Sequence, residues 1–268
     1  MNVSCNGYAI DNNRPIRPLY VGTAAKAHLP DAVQLWTPPV LDQGQSMACT
    51  GMAGAVMVDV AAHKMGKDFR ASPRGLWTLA RYSLFSPGEP LQNSGAHFRS
   101  VFDNAMKFGV IHEDDCPWDL SRLNEDIGFD ATIAGQGQRL SVEGWYSLDE
   151  TGDDRMIAIQ SALAQGFAVG GAWRVTEQFC RLEKNIIMAR FEIPDHGVDS
   201  VVYDDDIDTS PWAGNHAMTI VGYVTLEGQP WFKIQNSWGR SFGDGGFFWV
   251  HRDFVDEAWD LTVVRAIP

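Results

Sequence analysis

Gln43-Gly44-Gln45-Ser46-Met47-Ala48-Cys49-Thr50-Gly51 is the stretch on which the reading of this chain turns. A carboxamide, a small-residue turn and a cysteine follow one another, and the next residues, TGMAGAVMVDVAAHKMG, form an apolar run closed by Gly66. That run predicts a helix beginning near Cys49 and ending at Gly66. Cys49 then lies in the first helical turn, where unpaired N–H groups and the positive end of the dipole favour thiolate over thiol. A cysteine by itself is most often a small buried hydrophobe. To act as a nucleophile it needs a base and a group that orients the base.

The second half of the chain supplies both residue types. His216 follows Gly214-Asn215 and opens the run HAMTIVGYV. Asn236 ends WFKIQN and is followed by Ser237-Trp238-Gly239. An asparagine carbonyl accepts from one imidazole N–H and fixes the tautomer, which leaves the other ring nitrogen to face a thiol. Trp238 is placed to shield that hydrogen bond from water.

Outward from these residues the chain divides by period. Residues 1–28 are polar, broken by proline and without periodicity, and read as an arm on the surface. Arg14, Arg17 and Lys26 against Asp11 give the arm a net charge of +2 (3 − 1). The rest is acidic, so the arm is expected to contact the body and to cross part of a cleft as a short regulatory element. LPDAVQLWTPPVLDQGQ, with Pro38-Pro39 barred from a helix interior, is an extended lead into the Gln43 turn. Ser72-Pro73 is an N-cap followed by proline at the first helical position, and it opens RGLWTLARYSLF, after which PGEP marks a loop. Residues 95–108 carry Phe98, Val101, Phe102 and Ala105 at helical spacing and stop at Gly109. A further helix is predicted over 153–165, with acidic residues in its first turn and Gly166 after its end. Beyond it, FAVGGAWRV, HAMTIVGYVTL, PWFKIQNSW, GGFFWVHRDF and DLTVVRAI are β-branched and aromatic runs separated by turn residues. The pattern is α+β, with a helical half over about 43–135 and a β-rich half over about 136–268, divided in the loop AGQGQRLS.

Composition removes several function classes. The 268 residues carry 21 Lys+Arg against 34 Asp+Glu, a formal net charge of −13, which argues against nucleic acid or anionic lipid held on a general basic surface. There is no apolar stretch of membrane-spanning length and no apolar core before a cleavage site near the N-terminus. Cys5, Cys49, Cys116 and Cys180 are widely spaced and form no CxxC pair, so neither a zinc knuckle nor a dense disulfide framework is expected. The expected compartment is the cytoplasm, or the exterior by export without a Sec signal, as for a secreted effector. Asp204, Asp206 and Asp208 start like a calcium loop, but Thr209 and Asn215 stand where glycine and glutamate are needed. His112 and Cys116 lack a second ligand pair. No metal and no cofactor are expected.

QGQSMAC, GNHAMTIVGY and QNSWG-x-x-x-G-D-G-G-F, in that order, resemble papain-like cysteine peptidases. So do the lead-in LPDAVQLW…LDQGQ and the segments SPRGLWTLARYSLF and NSGAHFRSVFDNAMKFGVIHEDDCPW, particularly in bacterial members without the usual disulfides or long prosegment. The resemblance runs from about Leu29 to the C-terminus. It implies a helical N-terminal subdomain and a β-barrel-like C-terminal one, with the active site in the cleft between them. It implies a cysteine endopeptidase with Cys49 as nucleophile, His216 as general acid/base and Asn236 as the residue that orients the histidine. Gln43 would donate to the oxyanion beside the Cys49 backbone N–H, and Trp238 would cover the Asn–His hydrogen bond. Ser94, Gly95 and Ala96 match the segment whose backbone pairs with substrate, and Asn215 stands beside them as a substrate contact. The implied partner is a peptide or protein, with no nucleic acid and no membrane. The chain departs from the family at Ser46, where a bridging cysteine is common, at Thr50, where tryptophan usually follows the nucleophile, and in an arm too short for the usual helical prosegment. A silent binding module, or an isopeptidase or acyl transferase on the same Cys–His–Asn set, are the alternative readings.

Overall fold

Helix α1 (Cys49–Lys64) is buried on nearly every side, from Cys49 through Ala62. That is why its sequence is apolar all round and not in one stripe: a helix without a solvated face belongs inside a core. Its one buried charge, Asp59, accepts from the Ala71 N–H at 2.6 Å and from Arg70 Nε at 2.7 Å. Burial still pushes the Asp59 carboxyl up to about 6. Helix α2 (Pro73–Tyr82) crosses α1 at Gly51, where a Cβ would stand 2.6 Å from Trp77 Cβ and 2.7 Å from the Pro73 carbonyl oxygen. Ser72 caps α2, its Oγ accepting from the Gly75 N–H at 2.9 Å. Helix α3 (Phe98–Phe108) starts after His97, whose Nδ1 accepts from the Ser100 N–H, and stops at Gly109, φ 76°. These three helices pack with Trp145 and Val264 of the sheet into one apolar core.

The computed structural model describes residues 7–9, 29–82, 91–122, 139–180, 191–193, 197–199, 202–203 and 211–267. Its strands are β1 (Ala32–Gln34), β2 (Val110–Ile111), β3 (Arg139–Leu148), β4 (Val169–Thr176), β5 (Phe191–Ile193), β6 (Gly197–Asp199), β7 (Val202–Tyr203), β8 (Trp212–Leu226), β9 (Gln229–Gln235), β10 (Phe247–His251) and β11 (Leu261–Ile267). The large sheet runs β2-β3-β11-β4-β8-β9-β10-β7, with β1 also paired to β8, and β5-β6 stand apart. All of its pairs are antiparallel except β10 with β7. Helix α4 (Gly152–Ala164) and the short helices α5 (Glu177–Cys180) and α6 (Arg252–Asp256) contribute Ile159, Phe179 and Phe254 to a second core, with Trp173 and Trp238.

The α+β architecture is present, with helices leading and strands following. Five strands were not foreseen, the short β2, β5, β6 and β7 and the long β3. β3 begins at Arg139, inside the AGQGQRLS stretch read as a loop, and pairs with β11 along its length. Helix α3 begins at Phe98, three residues inside the predicted span. The loop PGEP, Asp204, Asp206, Asp208 and Thr209 lie outside the described residues. Among the described residues no group of His, Cys, Asp or Glu is arranged to hold a metal, and no helix is long and apolar enough to cross a membrane.

Candidate active site

Cys49 opens α1, and its sulfur is wholly buried against the Ala217 N–H, one residue beyond His216 on β8. The two elements are tied by Thr219 Oγ1, which donates to the Ala53 carbonyl at 3.2 Å. His216 is pinned from the other side. Its Nε2 lies 2.8 Å from Asn236 Oδ1, and since that oxygen can only accept, Nε2 carries the hydrogen. The Ser237 N–H donates to the same oxygen at 2.7 Å, which fixes the carboxamide's orientation. Trp238 stacks on the imidazole with centroids 4.4 Å apart, and Phe179 and Phe242 pack edge-on to Trp238. The remaining nitrogen, His216 Nδ1, is buried without a hydrogen-bond partner among the described residues. A neutral imidazole in this tautomer presents Nδ1 as a proton acceptor.

Hydrogen bonds to Ser46 and Ser237 hold Gln43 in the turn before Cys49. Its Nε2 donates to the Ser46 carbonyl at 2.9 Å, Ser237 Oγ donates to its Oε1 at 2.6 Å, and its backbone N–H donates to the Ser237 carbonyl at 2.8 Å. Asn93 staples the same turn, its Oδ1 accepting from the Met47 N–H at 2.8 Å. Thr50, where the chain departs from the family pattern, donates from Oγ1 to the Ala96 carbonyl at 2.9 Å. It thereby ties the helix start to the segment Ser94-Gly95-Ala96.

Residues 7–9 run through this arrangement. Tyr8 forms a parallel bridge with Ala96. The Ala9 N–H donates to the Ala96 carbonyl at 2.9 Å, and the Ala96 N–H to the Gly7 carbonyl at 3.2 Å. From the opposite side, the Asn215 carbonyl accepts from the Tyr8 N–H at 3.2 Å. A Cβ on Gly7 would stand 2.5 Å from Cys49 Sγ, and one on Gly95 would stand 2.7 Å from the Gly7 carbonyl oxygen. Both positions require glycine because backbone approaches so closely there. Gly95, Ala96 and Asn215, read as substrate contacts, thus border a peptide that belongs to the chain itself, whereas the carbonyl of Ser94 accepts from Trp77 Nε1 at 3.0 Å.

Covering the site changes its electrostatics. The helix start was expected to favour thiolate, but burial dominates and pushes the Cys49 thiol up to about 11, against the weaker lowering by the Ala217 N–H and Thr50. Burial likewise pushes His216 down to about 4, which the Asn236 hydrogen bond only partly offsets. Between those values the covered pair is a thiol beside a neutral imidazole. In the intact chain, the ultraviolet thiolate absorbance that is lost in Cys49→Ala should therefore be absent at pH 7 and appear only as the pH approaches about 11. Full absorbance already at pH 7 would show that the thiolate forms beneath the arm.

Three contributors were missed in the sequence. Ser237 sits in QNSWG and links Gln43 to the Asn236 loop, a signal that was there to be read. Asp260, which accepts from the Tyr8 hydroxyl, carries no local signal. Cys180, at the end of α5, is disulfide-bonded, which the wide cysteine spacing did not predict, whereas Cys49 and Cys116 are free thiols.

The family described as papain family cysteine protease matches residues 38–259. An uncharacterized peptidase C1-like protein of Acanthamoeba polyphaga mimivirus is 24% identical over 241 residues, covering 85% of this chain and 70% of that protein. A probable thiol protease of Glycine max is 36% identical over 52 residues, 19% of this chain, and the match spans only 14% of that protein. Among solved structures, xylellain, a cysteine protease from Xylella fastidiosa, superposes with a TM-score of 0.70 at 21% identity, covering 99% of this chain and 97% of that one. A digestive procathepsin L 3 of the Tenebrio molitor larval midgut gives 0.70 at 18% identity, covering 97% and 76%. With its cysteine at a helix start, its asparagine-held histidine on the facing strand and a family match over most of its length, the chain belongs to the papain family of cysteine proteases.

Proposed function

We propose that the chain is a cysteine endopeptidase held closed by its own N-terminal arm. The observation that carries the reading is the His216 imidazole, fixed by Asn236 through Nε2 and left with a buried, unpaired Nδ1, on the strand whose next residue, Ala217, meets the Cys49 sulfur. Once the arm leaves and a peptide enters, Nδ1 takes the thiol proton and the sulfur attacks the peptide carbonyl. The carboxamide of Gln43 and the backbone N–H of Cys49 stabilise the oxyanion, at roughly 3–4 kcal/mol per donor in comparable sites. His216 then protonates the leaving amine. Water, deprotonated by the same imidazole, cleaves the thioester and returns the thiol.

The arm lies in this cleft as an inhibitor and not as a substrate. The Gly7 carbonyl accepts from the Ala96 N–H at 3.2 Å, so its oxygen is held by a donor other than the pair assigned to the oxyanion. The test of the reading is labelling of the intact chain with an epoxide inhibitor, together with mass spectrometry of a digested peptide mixture. Labelling confined to Cys49 and internal cleavages ending in free carboxylates are expected. Absence of both under reducing conditions would overturn it, and amide products in place of free acids would redirect it to acyl transfer.

A further inference from the structure

β4 carries one exposed residue among seven buried ones, and it is Arg174. Its guanidinium lies over two indole rings, 5.6 Å from the centroid of Trp212 and 5.2 Å from that of Trp259. Both distances are within cation–π range. Trp212, at the start of β8, is 60% exposed, more than any other large apolar side chain among the described residues. Trp259 is tied to β4 by its backbone N–H, which donates to the Ala172 carbonyl at 2.9 Å. Arg70, Arg99, Arg155, Arg252 and Arg265 each meet an Asp or Glu carboxylate. Among the described residues no carboxylate pairs with Arg174. In a chain of net charge −13, a guanidinium without an acid is an unused anion receptor. The register places it on the wall of the cleft. Arg174 stands opposite Asn215, whose carbonyl holds the Tyr8 N–H. Strand alternation puts Arg174 and Asn215 on the same face as the pair Ala172 and Ala217, and Ala217 meets the Cys49 sulfur. Two residues along a strand span roughly 7 Å, so the guanidinium is within reach of a side chain about two residues from the scissile bond of an extended peptide.

We propose that Arg174, steadied by Trp212 and Trp259, forms an anion subsite on the cleft rim that selects peptides with a glutamate or aspartate near the scissile bond. Indoles over the guanidinium leave its in-plane N–H groups as the fork that fits a carboxylate bidentately. Stacking also restricts the side chain before a ligand arrives, and that ordering entropy is what makes most exposed ion pairs weak. The inference rests on the peptidase reading for its consequence in turnover, but carboxylate binding can be read without turnover.

Two measurements test it. In the first, N-acetylglutamate amide is titrated into the intact chain. The indole N–H resonances of Trp212 and Trp259, assigned through Trp212→Phe and Trp259→Phe, are followed. The glutamate derivative should shift both, the matching glutamine derivative neither, and Arg174→Gln should abolish the shift. In the second, peptides that carry Glu or Gln at one position, walked across the residues flanking the cleaved bond, are offered to the chain opened by Gly7→Ala. Their kcat/KM is measured, along with their power to slow alkylation of Cys49. At one position Glu should exceed Gln by about fivefold or more in both readouts, with the ratio falling at high salt. Arg174→Gln should bring that ratio to one or below, because the acidic body repels the glutamate. Arg174→Lys, which keeps the charge and loses the fork, should retain only part of the preference. No Glu preference at any position, or one that survives Arg174→Gln, overturns the proposal. Absence of the resonance shift overturns it whatever the state of the arm. Selective protection of Cys49 without hydrolysis upholds it and sinks only the peptidase reading.

Discussion

Cys49→Ala should abolish peptide hydrolysis and active-site labelling, by about 10⁴-fold or more in kcat/KM, with the fold intact. The size follows from the chemistry, because without sulfur there is no covalent intermediate and the cleft keeps only binding and oxyanion stabilisation. The fold survives because Cys49 packs as a small buried side chain, and alanine leaves a gap of one sulfur atom at a helix start. His216→Ala should cost a similar factor, since catalytic groups that act as a unit are not additive. It would also leave Trp238 without its stacking partner, so its far-UV and thermal behaviour should be compared with Cys49→Ala. A Cys49→Ala chain that still cleaves peptide would end the assignment of the nucleophile. A fluorogenic peptide assay and intact-mass labelling suffice to decide it.

Gly7→Ala should open the cleft. A methyl group at that position would stand 2.5 Å from Cys49 Sγ and 3.0 Å from the Met47 carbonyl oxygen. Neither neighbour can retreat easily: the sulfur is fixed at the start of a buried helix, and the Met47 N–H is held by Asn93. Overpacking of this kind costs about 1–3 kcal/mol, which corresponds to about 5- to 150-fold in the balance between closed and open arm. Alkylation of Cys49 should accelerate by such a factor at neutral pH. The pH profile should change as well, because an uncovered Cys49 and His216 return toward the values of hydrated groups and can form the thiolate–imidazolium pair near pH 7. The thermal midpoint should stay within a few degrees of the parent, because Gly7 touches the body only in the cleft. An unchanged labelling rate would show that the arm does not gate the site.

How much of this was legible depends on whether the signal was local. The Ser72-Pro73 start of α2, the stop of α1 before Gly66 and the stop of α3 at Gly109 follow from capping and backbone rules that act within a few residues. β3 was missed because its polar first residues continue a glycine- and glutamine-rich stretch, and its place is decided by pairing with β11 more than a hundred residues away. Asp260 was missed for the same reason. Nothing near it in sequence distinguishes it, and only the path of the arm brings Tyr8 to it.

The turn Gln43–Gly51, with His216 and Asn236 further on, determined by itself which side chains could form a nucleophile, a base, an orienting group and an oxyanion donor, because each of those roles needs a particular functional group. It could not determine their protonation. The helix start at Cys49 argues for thiolate, yet the folded, arm-covered site holds the thiol up to about 11 and the imidazole down to about 4. Those values are set by desolvation, and desolvation depends on every segment that closes over the site. One of them is residues 7–9, whose position against Cys49, Ala96, Asn215 and Asp260 is a property of the tertiary structure alone.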